Sequence, residues 1–280
     1  MFGLLRDVAD AFRPQDYRRR ASLVLINGLA EQPESWFCNR RHWDRHFDLK
    51  IPEFLVYDGP VIHRRIEEGL PITVEFLTDQ LELFLENFVQ KPPYHLVGSS
   101  LGCQVAIEFA VRRPNHVGKI VLLCPSGLGG EEKLPVVEGV RHNDFAAIVA
   151  SVFHNPRFVH PGIVRHYERQ FANKSWRKGL LRTVRGTSNH CVRHKLPAVH
   201  RPTLVICGQQ DRIVDPEQAR SAVSGLPNYE LVLIPSCGHA PQIERAGQVN
   251  RLVVGFLTRP ELAPEQPEPV EQLVPKPSYA

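Results

Sequence analysis

The sequence predicts an α/β fold: a mostly parallel sheet flanked by helices, with a helical insertion. Two observations carry this. Short apolar runs alternate with amphipathic helical segments along most of the chain. Strands that are apolar on both faces and joined through helices belong to parallel sheets covered on both sides. Residues 129–200 drop that rhythm and offer helical patterns only.

The elements follow in chain order. Phe2, Leu5, Val8, Ala9 and Phe12 recur at helical spacing up to Pro14, so residues 1–20 are expected to form an N-terminal helix and a basic linker. Residues 21–128 open the core. Its expected strands are 23–26, 47–51, 95–97 and 120–123, and its expected helices are 74–88 and 104–112. The insertion, 129–200, is expected to hold helices near 144–153, 162–171 and 175–187. It is basic, and Arg165, Arg169, Arg182 and Arg185 are the residues that would steer an anionic substrate if its charge served function. A solvated helix face is the plainer reading. Residues 201–259 return to the core with strands at 204–207 and 231–234 and helices at 216–223 and 246–257. From 260 to 280 the chain is rich in Pro and Glu, and a disordered or extended tail is expected.

Bulk properties narrow the function. The chain has 280 residues, 42% hydrophobic, with a net charge of +4, which gives no case for nucleic-acid binding. No apolar run approaches the roughly 20 residues of a membrane span, and the start lacks a signal-peptide pattern. A cytoplasmic protein is expected. Membrane association is disfavoured, because the polar face of the first helix carries both signs of charge. The six cysteines form no disulfide framework. His42/His46 and His190/His194, the latter beside Cys191, have metal-ligand spacing but no convincing further ligands. "SGLGG" at 126–130 has neither the dinucleotide fingerprint nor a Walker lysine after it. No cofactor is called for.

The chemistry concentrates in "YHLVGSSLGCQVA", residues 94–106. Gly98-Ser99-Ser100-Leu101-Gly102 is a Gly-x-Ser-x-Gly pattern between a strand and a helix. That context is a nucleophile elbow, a strained turn that exposes the central serine, here Ser100. A serine hydroxyl needs a base, and the base needs an orienting group. With this motif the acid and then the histidine follow in chain order. Asp211 lies after one downstream strand and His239 after the next. In a parallel sheet these three loops leave one carboxyl edge. Asp215 is a rival acid, but its place before Pro216 suits a helix N-cap.

"VGSSLG", "CGQQDRIVDPEQA" and "SCGHAPQIERAGQVNRLVVGFL", taken in that order, resemble the α/β-hydrolase superfamily, in its branch of small cap-bearing serine hydrolases. The resemblance covers roughly 23–257, less the insertion. It implies an α/β-hydrolase fold with 129–200 as cap. It also implies Ser100 as nucleophile, His239 as base then acid, and Asp211 as orienting carboxylate. The expected oxyanion donors are the N–H groups of Leu29 and Leu101. The implied activity is hydrolysis of a carboxylic ester or related small-molecule acyl compound through an acyl-enzyme. Two departures stand out. Asn27 replaces the usual His before Gly28-Leu29, and little chain precedes the first core strand, so the family's N-terminal hairpin is not expected. Within the fold, "CPSGLGG" and "GQVNRLVVGFL" resemble hydrolases of carbon–carbon bonds in vinylogous diketones. Against that subgroup, Ala240 stands where it has Trp and Ser99 where it has Asn. A thioesterase or acyltransferase, or a catalytically silent binding module, are the other readings. Oligomeric state is not legible.

Overall fold

The computed structural model describes residues 20–53, 56–89, 91–129 and 132–260. The N-terminal helix expected over 2–13 and the tail beyond 260 lie outside the described residues. Six strands form one parallel sheet: β1 (Ser22–Ile26), β2 (Asp48–Lys50), β3 (Tyr94–Ser99), β4 (Val117–Leu123), β5 (Thr203–Gly208) and β6 (Tyr229–Ile234). Their spatial order is β2-β1-β3-β4-β5-β6. The chain moves outward from β1 to β2, then crosses back over β1 to β3. The order therefore reverses between β1 and β3, and at such a switch point the loops beyond two neighbouring carboxyl ends splay apart to leave a crevice. The described residues begin at Arg20, and β1 is the first strand among them.

The strands form because their residues are apolar on both sides. Along β1, Leu23 and Leu25 enter one buried cluster, and Val24 and Ile26 the other. The same alternation sorts Leu96 from Val97, and Ile120 and Leu122 from Val121 and Leu123. At one edge β2 has only three residues, with Lys50 Nζ 3.1 Å from Asp48 Oδ1. A short, charged edge discourages pairing with another chain.

On the first face lie two long helices. The predicted segment 74–88 is one of them, following the helices Arg40–Trp43 (α1) and Pro60–Glu67 (α2) as α3 (Val74–Phe88). Thr73 Oγ1 caps it by accepting from Phe76 N–H at 3.2 Å, and Leu77, Leu81 and Leu85 fill its buried stripe. Next comes α4 (Leu101–Arg112), which starts three residues before the predicted 104. On the second face, Val249, Val253, Phe256 and Leu257 of the last helix recur at helical spacing against Trp36 and Trp43. Truncating such a buried leucine to alanine typically costs about 2–5 kcal/mol.

Between β4 and β5 the chain forms α5 (Pro135–His142), α6 (Phe145–Val152), α7 (Pro161–Ala172) and α8 (Lys174–Thr187). Asp144 caps α6 by accepting from Ala147 N–H at 2.9 Å, and Asn173 caps α8 by accepting from Ser175 N–H at 2.9 Å. The sequence reading located the last three. It missed α5, whose "PVVEGVRH" mixes valines and a glycine that disfavour helix on propensity. Packing decides there, since Val136 is buried in the main core. The remaining helices are α9 (Pro216–Val223), α10 (Pro241–Glu244) and α11 (Ala246–Thr258).

Candidate active site

Ser100 links β3 to α4 at φ 49°, ψ −113°. A non-glycine residue in that region is strained by about 1–3 kcal/mol and is held there only by its surroundings. Two glycines make the turn possible. A Cβ on Gly102 would stand 2.2 Å from Ile26 O, and one on Gly98 would stand 2.7 Å from Gly102 O. Both clashes are with backbone, which cannot rotate away. Gly102→Ala is therefore expected to separate α4 from β1. Measured by chemical denaturation, it should lose more than the roughly 1 kcal/mol typical of a point mutation. Unchanged stability would show that the elbow is looser than this geometry.

The acid and the histidine do meet. His239 Nδ1 lies 2.8 Å from Asp211 Oδ2, with the aspartate side chain 1% exposed and the histidine 7%. Asp211 sits just beyond β5. Its other oxygen accepts from the N–H groups of Ile213 at 2.8 Å and Val214 at 3.1 Å. Burial pushes this carboxyl up, but the charge of His239 and these hydrogen bonds outweigh it, and the Asp211 pKa lies below the ordinary carboxylate value. Burial likewise disfavours a charged His239, yet the Asp211 charge and hydrogen bond raise its pKa well above the usual imidazole value. Asp215, the rival acid, instead caps α9 by accepting from Glu217 N–H at 3.0 Å. The His239 loop is pinned from both sides. Its own N–H donates to Val152 O of α6 at 2.8 Å, and the Gly238 N–H donates to buried Glu244 at 2.7 Å.

The loop after β1 is fastened at almost every polar group. Asn27, in place of the family's His, accepts from Trp36 Nε1 and donates to Ser35 Oγ, both at 3.2 Å. The Gly28 N–H donates to Glu31 Oε2 at 2.9 Å. Ala30, at φ 60°, donates through its N–H to Tyr57 Oη at 2.9 Å and accepts from Tyr167 Oη of α7 at 3.2 Å. The Leu29 N–H is left without an acceptor among the described residues. Leu101 N–H is the first of α4, where the helix itself offers no partner. Glu31, which the sequence reading did not single out, also accepts from Ser99 Oγ at 2.8 Å. Burial raises its pKa, opposed by those two hydrogen bonds and by His239.

Two cavities reach Ser100. One, of about 390 Å³, is walled by apolar groups from the insertion, among them Val136, Ile148, Val149, Phe153 and Ile163, and it also touches His239. The other, of about 430 Å³, is more polar and presents Gln104, Ser126, Glu132 and Asn189. The four arginines considered for steering, Arg165, Arg169, Arg182 and Arg185, are exposed and line neither cavity. Their position fits the solvated-face reading.

A third buried group touches the pair. Cys124, at φ 45° just past β4, places its Sγ within 4.8 Å of ligand atoms on Asp211 and His239. Burial drives its thiol pKa well above the usual value, which makes it inert as a nucleophile. Of the histidines with metal-ligand spacing, His42 and His46 have ring centroids 5.9 Å apart with their planes tilted by 51°. His190 lies 3.0 Å from Glu108 and 3.3 Å from Glu75, and Glu108 also bonds Lys195. With that lysine on the shared carboxylate, the cluster is an ion-pair network tying the end of the insertion to α3 and α4.

The sequence model of the Alpha/beta hydrolase family matches residues 23–252. The chain belongs to that family. Among curated members, a monoacylglycerol lipase of Xenopus laevis (abhd6-B) is 27% identical over 261 residues, covering 85% of this chain and 76% of its own. A 2-hydroxy-6-oxononadienedioate/2-hydroxy-6-oxononatrienedioate hydrolase of Pseudomonas is also 27% identical, covering 85% and 88%. A solved meta-cleavage product hydrolase of Pseudomonas fluorescens superposes with a TM-score of 0.74 at 17% identity, covering 84% of this chain and 90% of that one. The sheet, the flanking helices and the family membership agree, and the chain is a hydrolase of α/β-hydrolase type.

Proposed function

We propose that this hydrolase cleaves carboxylic esters of small, apolar acyl chains through a Ser100 acyl-enzyme. The observation that carries this is the Asp211–His239 pair, 2.8 Å apart, facing the same apolar cavity as a serine held in a strained strand-to-helix turn. His239 Nδ1–H points to Asp211, so Nε2 carries the lone pair and takes the Ser100 proton as Oγ attacks the carbonyl carbon. The oxyanion receives the N–H groups of Leu29 and Leu101. The protonated His239 then returns its proton to the departing alcohol. Water, deprotonated by the same imidazole, releases the acid and restores Ser100.

The two cavities suggest how a substrate divides. The acyl chain fits the apolar one, and the alcohol the polar one. Helices α5–α7 roof the apolar cavity, which supports reading 129–200 as a cap that selects the acyl chain. In the polar cavity Glu132 stands where a diacid's carboxylate would face like charge, which favours esters over dienedioates. A soluble, cytoplasmic setting remains part of this proposal. A panel of p-nitrophenyl esters of increasing chain length, run beside thioesters and a ring-cleavage diketone, tests it. Ester turnover with a chain-length optimum is expected. Brisk diketone cleavage without ester turnover would overturn the reading.

A further inference from the structure

Two backbone N–H groups can stabilise an oxyanion only if their separation is fixed, yet Leu29 and Leu101 belong to different strand-end loops. A side chain spans that gap. Glu31 Oε2 accepts from the N–H of Gly28, at 2.9 Å, and Gly28 is the residue before Leu29. Glu31 Oε1 accepts from the hydroxyl of Ser99, at 2.8 Å, and Ser99 is the residue before Ser100. One carboxyl group is therefore bonded to the neighbour of the first donor and to the neighbour of the nucleophile. No other side-chain bond among the described residues joins 27–31 to 98–102. Tyr57, in the turn before α2, and Tyr167 of α7 hold Ala30, and Ser35 and Trp36 of the 3₁₀ turn Pro33–Trp36 hold Asn27, but none of these contacts reaches the elbow.

We propose that Glu31 is a positioning residue for the oxyanion hole, clamping the β1 loop to the nucleophile turn through Gly28 and Ser99. The inference rests on the Ser100 reading above. It also explains why a charged side chain is tolerated on the wall of an apolar cavity beside the reacting serine. Both of its oxygens face donors, so its charge is met by hydrogen bonds and not by the acyl chain. Without the clamp the hole is looser while the acyl cavity is unaltered. The interaction lost is one made in the transition state and not in the ground state.

The test compares wild type, Glu31→Ala, Glu31→Gln, Ser99→Ala and the Glu31→Ala/Ser99→Ala double variant on one p-nitrophenyl ester. A trifluoromethyl ketone serves as mimic of the tetrahedral adduct. Removing one oxyanion donor outright lowers kcat by about 10²–10³, and a displaced donor should approach the lower figure. Glu31→Ala is expected to lower kcat about 100-fold and weaken the ketone in step, with KM nearly unchanged. Glu31→Gln keeps an acceptor for Gly28 and can donate to the Ser99 oxygen, so it should recover most of the loss. The double variant should be no worse than Glu31→Ala alone, because both changes break the same bridge. A folded Glu31→Ala with wild-type kcat and ketone affinity, whatever its melting temperature, overturns the proposal. Should Glu31→Ala fail to fold, Ser99→Ala with unchanged kcat and ketone affinity overturns it equally. If wild type neither turns over esters nor reacts with a fluorophosphonate, the Ser100 reading falls and takes this one with it. Activity in wild type with indifference in the variants sinks the clamp alone.

Discussion

Ser100→Ala is expected to abolish ester turnover and fluorophosphonate labelling while leaving the fold intact. Loss of the nucleophile in a serine hydrolase costs on the order of 10⁶ in kcat, because base and orienting acid then have nothing to activate. The fold should survive because the turn is made by its neighbours. Gly98 and Gly102 supply the clearance, and the Ser100 N–H is fixed to Leu123 O at 2.9 Å. Alanine keeps the Cβ and thus the strain at φ 49°. Ser100→Gly removes it, so that variant should be equally inactive but more stable, by up to about 1–3 kcal/mol. Thermal melts of the three proteins check this ordering. Persistent labelling of Ser100→Ala would point to another nucleophile. A glycine variant that melts lower than wild type would mean the turn stores no strain.

What the sequence disclosed and what it withheld follow from range. The strands were legible because each is apolar on both faces and bounded by turn residues, so pattern alone locates Val24 or Leu122 in the core. The triad candidates were legible because parallel topology sends the ends of β3, β5 and β6 to one edge, and the chain carries Ser100, Asp211 and His239 there. Asp215 could be set aside on local grounds, since a residue before Pro216 caps the helix that follows, as it does. Glu31 gave no such signal. Its partners, Gly28 and Ser99, become its neighbours only once β1 and β3 pair in register, with Ile26 opposite Gly98. The same holds for Tyr167, which reaches Ala30 across 137 positions of chain. The helix α5 was withheld for a different reason: its local preferences oppose the conformation that burial of Val136 imposes.

Asp211→Asn carries the second large effect, and its geometry dictates the mechanism of loss. In the native pair Oδ1 is held by the N–H groups of Ile213 and Val214, and Oδ2 accepts from His239 Nδ1. An asparagine here keeps its carbonyl oxygen on those two backbone donors. Its NH₂ group is then turned toward His239, where it can only donate, so Nδ1 must become the acceptor. The neutral ring then carries its proton on Nε2, the atom that should accept from Ser100. In a serine protease the same exchange lowers kcat about 10⁴-fold, and a loss of that order is expected. The pH profile should move as well. His239 acts as base only when neutral, and Asp211 raises its pKa. In wild type, activity should therefore fall as pH drops through a value above the ordinary imidazole figure of about 6.5. Without the Asp211 charge the largest influence raising the ring's pKa is gone while burial still opposes its charged form, so the residual activity of Asp211→Asn should persist to lower pH. Asp215→Asn, which alters only a helix cap worth about 1 kcal/mol, should leave both kcat and the profile in place. An acid limb of kcat/KM that stays put in Asp211→Asn, with less than a tenfold change in rate, would remove Asp211 from the mechanism, because a carboxylate 2.8 Å from the base cannot be exchanged for an amide without changing the imidazole's affinity for its proton.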